Sequence, residues 1–384
     1  MAVLSTLMGF GSISTDLYLP ALPTMARALA TSSGAVEWTI GSYLLGFSFG
    51  QLLWGPLGDR YGRRLPVGVG LVLFSLGSAG CALAPGAWVM IGARVVQAIG
   101  ACAGVVLARA MVRDLYPRDR AAQMLSTLIT VMAIAPLLGP LVGGQILAIA
   151  SWRVIFWLLV AVGLVTLAAL FTVPETLPAE RRLEHSLGQA LIGYGTLLRD
   201  PNVIGYSGAG GLFYVGIYAY IAGTPFAYIS YYGVPAQRYG LLFGASIAGI
   251  MAANAINARL VARLGSDRLL GLGGVGAAVT GLLSAVAAMT GWGGLAGLAI
   301  SLLAYCAMSG LIVANSIAGA LSRHASRAGA VSALVGALQY GVGIVGSGLV
   351  GAFADGTPRP LGAVVALGGV GCLACIRLRA AWTR

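Results

Sequence analysis

Residues 55–64 read GPLGDRYGRR, a short segment with one acid and three arginines at the junction of two apolar stretches, residues 36–57 and 65–84. The same alternation of long apolar stretch and short polar connection continues along the chain. A helix needs about 20 apolar residues to cross a bilayer, and twelve stretches of roughly that length can be marked. They lie at residues 3–24, 36–57, 65–84, 87–112, 124–148, 154–173, 203–229, 239–260, 269–289, 291–321, 328–354 and 361–376. The pattern predicts an all-α polytopic membrane protein with twelve transmembrane helices.

Composition supports this class of protein. Of the 384 residues, 58% are hydrophobic and 9% are charged, whereas a soluble domain has about 25% charged residues. The 58 glycines are typical of bilayer helices, in which small residues allow close packing. A soluble protein and a single-span receptor are both excluded.

The arginines predict the orientation. All 23 basic residues are arginine, and the net charge is +12. Seventeen of them follow the even-numbered stretches: Arg60, Arg63, Arg64, Arg113, Arg118, Arg120, Arg181, Arg182, Arg199, Arg259, Arg263, Arg268, Arg323, Arg327, Arg377, Arg379 and Arg384. Arg27, Arg153, Arg238 and Arg359 lie on the other side. Positive residues stay in the cytoplasm, so both termini are predicted there, and a nucleic-acid-binding face is not expected.

The two halves of the chain resemble each other. Pro20 and Pro225 are 205 residues apart, and glycine-rich segments around Gly139 and Gly343 are 204 apart. Duplicated halves place a substrate site between them, near the middle of the membrane. We therefore predict six-helix bundles at residues 1–176 and 201–384, joined by a cytoplasmic linker at residues 177–200.

Ionisable residues inside the apolar stretches are few. Asp16 lies in the first stretch, and Arg94 and Arg109 lie in the fourth. At helical rise, Asp16 is ~12 Å and Arg94 ~10 Å from the same membrane surface, so the two can pair or compete for a partner. Such residues mark function by default. A switch of Asp16 between a desolvated and an arginine-paired environment would bind and release a proton; the alternative is a purely structural pair.

Polar and aromatic residues within the stretches are candidates for a substrate cavity. Aromatic rings can stack with flat ligands or bind cations, although each residue alone is more often a packing residue. The predicted substrate-binding set is Asp16, Tyr18, Tyr43, Gln97, Tyr214, Tyr218 and Asn315. No metal site is predicted, because the five cysteines lie in apolar stretches and His185 and His324 lie in loops.

Three motifs resemble those of the major facilitator superfamily. Residues 55–64 resemble its cytoplasmic loop signature, which implies a gating role for Gly55, Asp59, Arg60, Gly62, Arg63 and Arg64. Arg94 and Gln97 resemble the fourth-helix signature. Residues 135–144, APLLGPLVGG, resemble the fifth-helix signature of antiporters, which implies that Gly139, Pro140, Gly143 and Gly144 shape that helix.

Four further segments resemble the bicyclomycin-resistance and chloramphenicol-exporter subgroup of drug:proton antiporters: STDLYLPALP (14–23), RDLYP (113–117), SWRVIFW (151–157) and PETLP (174–178). The resemblance implies protonation and substrate binding at Asp16 and coupling at Arg94. It also implies a monomeric, non-enzymatic exporter in the bacterial inner membrane, with small-molecule drugs, protons and lipid as partners and no cofactor besides the proton. A dedicated exporter of one metabolite, sugar or peptide remains an alternative, and a membrane enzyme or channel is disfavoured.

Overall fold

The computed structural model describes residues 2–182, 187–324 and 327–382. His185 and Arg384 lie outside the described residues. The helices are α1 (Ala2–Asp16), α2 (Leu22–Ala28), α3 (Ser33–Tyr61), α4 (Arg64–Leu83), α5 (Ala87–Leu115), α6 (Arg118–Ile149), α7 (Trp152–Leu170), α8 (Leu187–Leu197), α9 (Pro201–Pro225), α10 (Ala236–Leu264), α11 (Ser266–Thr290), α12 (Gly294–Ala307), α13 (Ser309–Leu321), α14 (Ala328–Ala352) and α15 (Arg359–Trp382).

These helices form twelve spans within the described residues, and no strand occurs there, so the predicted all-α membrane fold is confirmed. The first span consists of α1, a 3₁₀ turn at Leu19–Ala21, and α2. The seventh consists of α9 and a π-helical turn at Phe226–Tyr231. The tenth is broken into α12 and α13. Only helical segments satisfy all their backbone groups in lipid, which is why the chain contains little else.

Proline accounts for the break in the first span. Pro20 and Pro23 have no N–H to donate, so the regular ladder that would extend α1 cannot continue through them. The α-helix therefore ends at Asp16, and the backbone tightens, with Ala21 N–H donating to Tyr18 O at 2.8 Å. Asp16 consequently lies at a helix end inside the protein rather than in the middle of a continuous helix.

The two halves share local geometry at matching positions. Gly62, between α3 and α4, has φ +87°, and Gly265, between α10 and α11, has φ +78°. That left-handed region favours glycine. Gly139 of α6 packs against Asp16 of the first span, and Gly343 of α14 packs against Tyr218 of the seventh. Glycines about 204 residues apart therefore occupy similar local positions in the two halves.

Helix direction alternates, so the connections form two faces. We call the face with the α3–α4, α5–α6, α10–α11 and α13–α14 connections the arginine-rich face, and the opposite one the arginine-poor face. At the arginine-poor face the halves touch through their backbones: a Cβ on Gly34 of α3 would overlap the carbonyl of Gly351 in α14, and one on Gly144 of α6 would lie 2.6 Å from Ala236 O. The structure is therefore closed at this face.

We expect Gly34→Ala to loosen the closed face, because the added methyl group has no room beside Gly351. The probe is Ser347→Cys, at a fully buried α14 position facing Gly41, in a protein whose five native cysteines are replaced. A membrane-impermeant maleimide should label this thiol several-fold faster in the Gly34→Ala variant.

Gly92→Ala is the matched control, since Gly92 is also helical and a Cβ there meets no atom within 4 Å. Equal labelling rates in the two variants would contradict the glycine-dependent closure.

Candidate functional site

Arg94 lies in α5 with none of its surface exposed. Its Nη1 donates to Ser14 O of α1 at 2.9 Å and to Gln97 Oε1, and its Nε donates to Thr39 O of α3 at 3.5 Å. A buried charge is tolerated only when hydrogen bonds replace its water shell. Arg94 therefore joins three helices of the first half.

Two tyrosines hold the guanidinium between their rings. The Arg94 Cζ atom lies 4.4 Å from the ring centre of Tyr18 and 4.3 Å from that of Tyr43. Both distances are within the range of cation–π attraction, which strengthens on desolvation. Tyr18 OH is 3.0 Å from Thr39 Oγ1, and Tyr43 OH donates to Gly11 O at 3.3 Å. The rings are thus fixed by their own hydrogen bonds before any ligand is present.

Asp16 is 5% exposed and lines a central cavity of about 190 Å³. The carboxylate lies where α1 ends, and a Cβ on Gly139 would be 3.1 Å from Asp16 Cβ. The described residues form no ion pair between Asp16 and Arg94; Arg94 instead binds the carbonyl of Ser14, two residues before Asp16. Asp16 is therefore left available to the cavity.

Both halves contribute to the central cavity. Its lining includes Met8, Asp16, Tyr43, Phe47, Arg109, Pro136, Tyr218, Phe243 and Tyr340. Tyr340 of α14 connects the halves, since its ring centre lies 4.8 Å from that of Phe47 and 6.2 Å from that of Tyr218. The resulting surface is aromatic and apolar, with a carboxylate and a guanidinium, which suits an amphipathic ligand.

The predicted substrate-binding residues divide into two groups. Asp16, Tyr43 and Tyr218 line the central cavity, and Tyr214 stands against Tyr218 with ring centres 5.7 Å apart. Tyr214 is not itself a lining residue, and neither are Tyr18, Gln97 and Asn315.

Tyr18, Gln97 and Asn315 have partners away from the cavity. Tyr18 covers Arg94, and Gln97 accepts from Arg94 and donates to Ser78 Oγ at 2.7 Å. Asn315 donates to Asn257 Oδ1 at 2.7 Å and so joins α13 to α10. Hydropathy does not distinguish a polar residue that forms an interhelical hydrogen bond from one that lines a cavity. The sequence analysis therefore put both kinds of residue in one predicted substrate-binding set.

The predicted gating loop forms a charged cluster at the arginine-rich face. Arg63 Nη1 lies 2.7 Å from Asp59 Oδ1, and Arg63 Nε lies 2.9 Å from Asp114 Oδ2 at the end of α5. Arg63 is 7% exposed, so these are charge-assisted hydrogen bonds in a partly desolvated setting. We call Asp59, Arg63, Asp114 and Glu175 the clasp.

Glu175 completes the clasp from the segment after α7. Its Oε1 accepts from Arg63 N–H at 2.8 Å, and its Oε2 accepts from Arg64 N–H at 3.1 Å. Burial raises the pKa of Glu175, but backbone hydrogen bonds from Leu177, Arg63 and Arg64 outweigh it and hold the pKa below the ordinary value. The sequence placed Asp114 and Glu175 in family-like segments without assigning them a role.

The clasp lies within one half of the protein. Asp114 and Glu175 belong, like Asp59 and Arg63, to the first half. Of the other loop residues, Arg60 lies over the ring of Tyr61 and Arg64 donates to Phe171 O at 3.1 Å. Gly62 supplies the left-handed turn, and a Cβ on Gly55 would meet nothing within 4 Å.

The glycines of α6 allow two close contacts. Gly139 and Gly143 lie against the end of α1, where a Cβ on Gly143 would overlap Leu17 O. Gly144 faces α10 of the second half. Pro140 lies within α6, in the same segment. This part of α6 therefore touches both the turn that presents Asp16 and the opposite half.

Sequence reasoning missed Glu37. This side chain, in the second turn of α3, is 2% exposed, and its Oε2 is buried without a hydrogen-bond partner. Glu37 is the second residue of the predicted stretch 36–57, and an acid at the end of a span is normally interpreted as exposed to water. Its position directly after Val36 and before a long run without charged residues is the signal that could have identified it.

Comparisons with known proteins identify the family. The Major Facilitator Superfamily model matches residues 3–376. The chain belongs to the major facilitator superfamily. It is 35% identical over 369 residues to the uncharacterized MFS-type transporter YdgK of Bacillus subtilis, covering 94% of this chain and 90% of that protein. It is 30% identical over 365 residues to the bicyclomycin resistance protein homolog of Haemophilus influenzae, with the same coverage of 94% and 90%.

A solved structure of the nucleoside transporter NupG shares the fold, with a TM-score of 0.78, 12% identity and complete coverage of both chains (100% each). The predicted superfamily and its bicyclomycin-resistance subgroup are confirmed, and the protein is a transporter rather than an enzyme.

We expect Arg63→Met to lower the free energy of unfolding by about 2 kcal/mol. The substitution removes the charged donor that the Asp59 and Asp114 carboxylates share, while both carboxylates remain in place. The measurement is thermal unfolding in detergent, followed with a thiol-reactive dye that reports exposure of the buried native cysteines. Arg60→Met is the control, since Arg60 is exposed and only stacks on Tyr61. An equal loss of stability in the two variants would rule out the clasp as a specific stabilising element.

Proposed function

We propose that this protein exports amphipathic drugs across the bacterial inner membrane in exchange for protons. The observation that supports this most directly is Asp16, a carboxylate without an ion-pair partner among the described residues, at a cavity shared by both halves. A group that a proton and a substrate can both reach is the minimum that antiport requires. The relative named for bicyclomycin resistance supports drugs as the substrate class.

In this proposal the proton and the drug compete for Asp16. An ionised Asp16 accepts the polar or cationic part of a drug while the aromatic rings of Tyr43, Tyr218 and Tyr340 cover its apolar part. Protonation removes the charge and releases the drug. Arg94 keeps the end of α1 in register with α5 through Ser14, so that Asp16 stays at the cavity in either protonation state.

Alternating access completes the cycle. By the positive-inside rule the arginine-rich face is cytoplasmic and both termini lie there, so the closed face is periplasmic. The central cavity of about 190 Å³ is smaller than most drug sites, which measure roughly 300–1,000 Å³, and it must widen when substrate enters. A single proton moving down a membrane potential supplies ~2.3 kcal/mol per 100 mV, which is enough to drive accumulation by a monomer.

We expect Asp16→Asn to abolish drug-induced proton release from everted membrane vesicles, because an amide cannot exchange a proton. Binding of a neutral drug, measured by equilibrium dialysis on the purified variant, should persist. Asp355→Asn is the control, since Asp355 is an exposed acid outside the central cavity. Full proton-coupled export by the Asp16→Asn variant would overturn the proposed mechanism.

We expect Tyr218→Ala to change the order of resistance across a growth-inhibition panel of drugs, with aromatic compounds losing the most, because one ring of the central cavity is removed. Tyr231→Ala is the control, since Tyr231 is 53% exposed and lies off the cavity. A uniform fall in resistance to every drug, or no difference between the two variants, would argue against recognition of substrate by Tyr218.

A further inference from the structure

A second cavity, of about 630 Å³, lies between the halves at the arginine-poor face. We call it the vestibule. Its lining includes Pro23, Arg27 and Glu37 from the first half, and Phe226, Ser230 and Thr357 from the second. It is separate from the central cavity, with which it shares no lining residue. The vestibule therefore lies on the periplasmic side of the closed contact.

Glu37 lies where the vestibule meets that contact. A Cβ on Gly351 of α14 would be 3.4 Å from Glu37 Oε2 and 3.5 Å from its Cβ. One turn earlier on α3, Gly34 presses against the same Gly351. The Glu37 carboxyl group is therefore part of the surface by which α3 and α14 close.

No compensating charge meets this carboxyl group in the described part of the chain. Glu37 forms no ion pair there, and Oε2 has no hydrogen-bond donor. Arg27 lines the vestibule from α2 but is exposed and unpaired with Glu37. From the α14–α15 connection, Asp355 accepts hydrogen bonds from Thr357, and Arg359 donates its backbone N–H to Thr357 Oγ1. The vestibule residues of α9 and its π-helical turn are not titratable.

An ionised carboxylate buried without a partner is strongly disfavoured, whereas the neutral acid is tolerated. When α3 and α14 separate, water in the vestibule reaches Glu37 and can solvate the charged form. Closing the face therefore favours binding of a proton, and opening it favours release. Both steps use the periplasmic water that fills the vestibule.

We propose that Glu37 is a second proton-binding site, which takes up a proton from the periplasm as the periplasmic face closes and returns it to the same side as the face opens. The proposal rests on the proposed proton-coupled export and adds a gate to it. Because the proton leaves on the side from which it came, Glu37 does not change the number of protons exchanged per drug.

The direction of the pH effect follows from the proton balance. The closed state binds one proton more than the open state, so lower pH favours closure. For one linked proton, the ratio of closed to open molecules rises by up to about tenfold for each unit by which the pH falls.

The test measures the opening of the periplasmic face by pulsed electron paramagnetic resonance. Spin labels are placed at Trp88→Cys in the first half and Trp292→Cys in the second, both at exposed positions, in a protein lacking the native cysteines. In lipid nanodiscs titrated from about pH 5 to about pH 9, the short-distance population should grow as the pH falls, by up to about tenfold per unit. Glu37→Gln, which mimics the neutral acid, should hold the low-pH distribution at every pH.

Two further variants make the result specific. Glu37→Met, with an apolar side chain of similar length, should also stay closed at every pH, so the test does not depend on the amide alone. Asp355→Asn removes an exposed acid from the same face and should keep the wild-type titration. A wild-type protein without pH dependence, or a Glu37→Gln variant that titrates like wild type, would overturn the inference.

Transport measurements separate this inference from the proposed function. With Glu37→Gln, the pH profile of export should change while the ratio of protons to drug stays constant. If Asp16→Asn abolishes export but Glu37→Gln leaves the distances pH-dependent, only the gate at Glu37 is wrong. If Asp16→Asn exports normally, the proposed function fails whatever the labels at the periplasmic face report.

Discussion

The burial of the Arg94 charge is the constraint on which the rest of the first half depends. No water reaches this guanidinium, so its solvation comes from the carbonyls of Ser14 and Thr39, the amide of Gln97 and the faces of two tyrosine rings. A displacement of α1 or α3 along its axis would leave the charge without these partners. The register of three helices is therefore set by one side chain, and the position of Asp16, two residues beyond Ser14, follows from it.

The central cavity can be deduced from this arrangement. The helix α1 ends at Asp16 and is followed by a 3₁₀ segment. Arg94 binds this helix end on one side and the glycines of α6 pack against it on the other, and together they set the position of the carboxylate. Arg94 Nε and Nη1 donate to carbonyl oxygens and to Gln97, two tyrosine rings lie against the guanidinium, and Nη2 is buried without a hydrogen-bond partner. Arg94 forms no ion pair with Asp16 in the described part of the chain. A carboxylate that is positioned by the fold but unpaired can respond to a proton or a ligand, which a tightly paired carboxylate does much less readily.

Much of this could be predicted from the sequence, because the signals are local. Hydropathy indicates the twelve spans, and the scarcity of charge inside them singles out Asp16 and Arg94. Two partners of Arg94 are backbone carbonyls of other helices, and such partners cannot be predicted from residue type because every residue has a carbonyl. The amide of Asn315 meets Asn257 across a helix contact that only the tertiary packing creates, so its place away from the central cavity could not be read from the sequence. Glu37 was missed because composition alone does not separate an acid one residue inside a predicted span from an acid in the adjoining loop; only its place before a long uncharged run distinguishes it.

The two faces of the molecule are held together by different interactions, and the difference is compatible with the proposed alternating access. At the arginine-rich face the charges of the clasp join α3, α5 and the segment after α7, all in the first half, so that bundle can move as one body without breaking them. At the arginine-poor face the halves meet closely through glycine and backbone, and none of the ion pairs found among the described residues joins them there. A carboxyl group placed in such a contact, as Glu37 is, makes the contact sensitive to the proton, because hydration of that group is the main electrostatic change as the surfaces part.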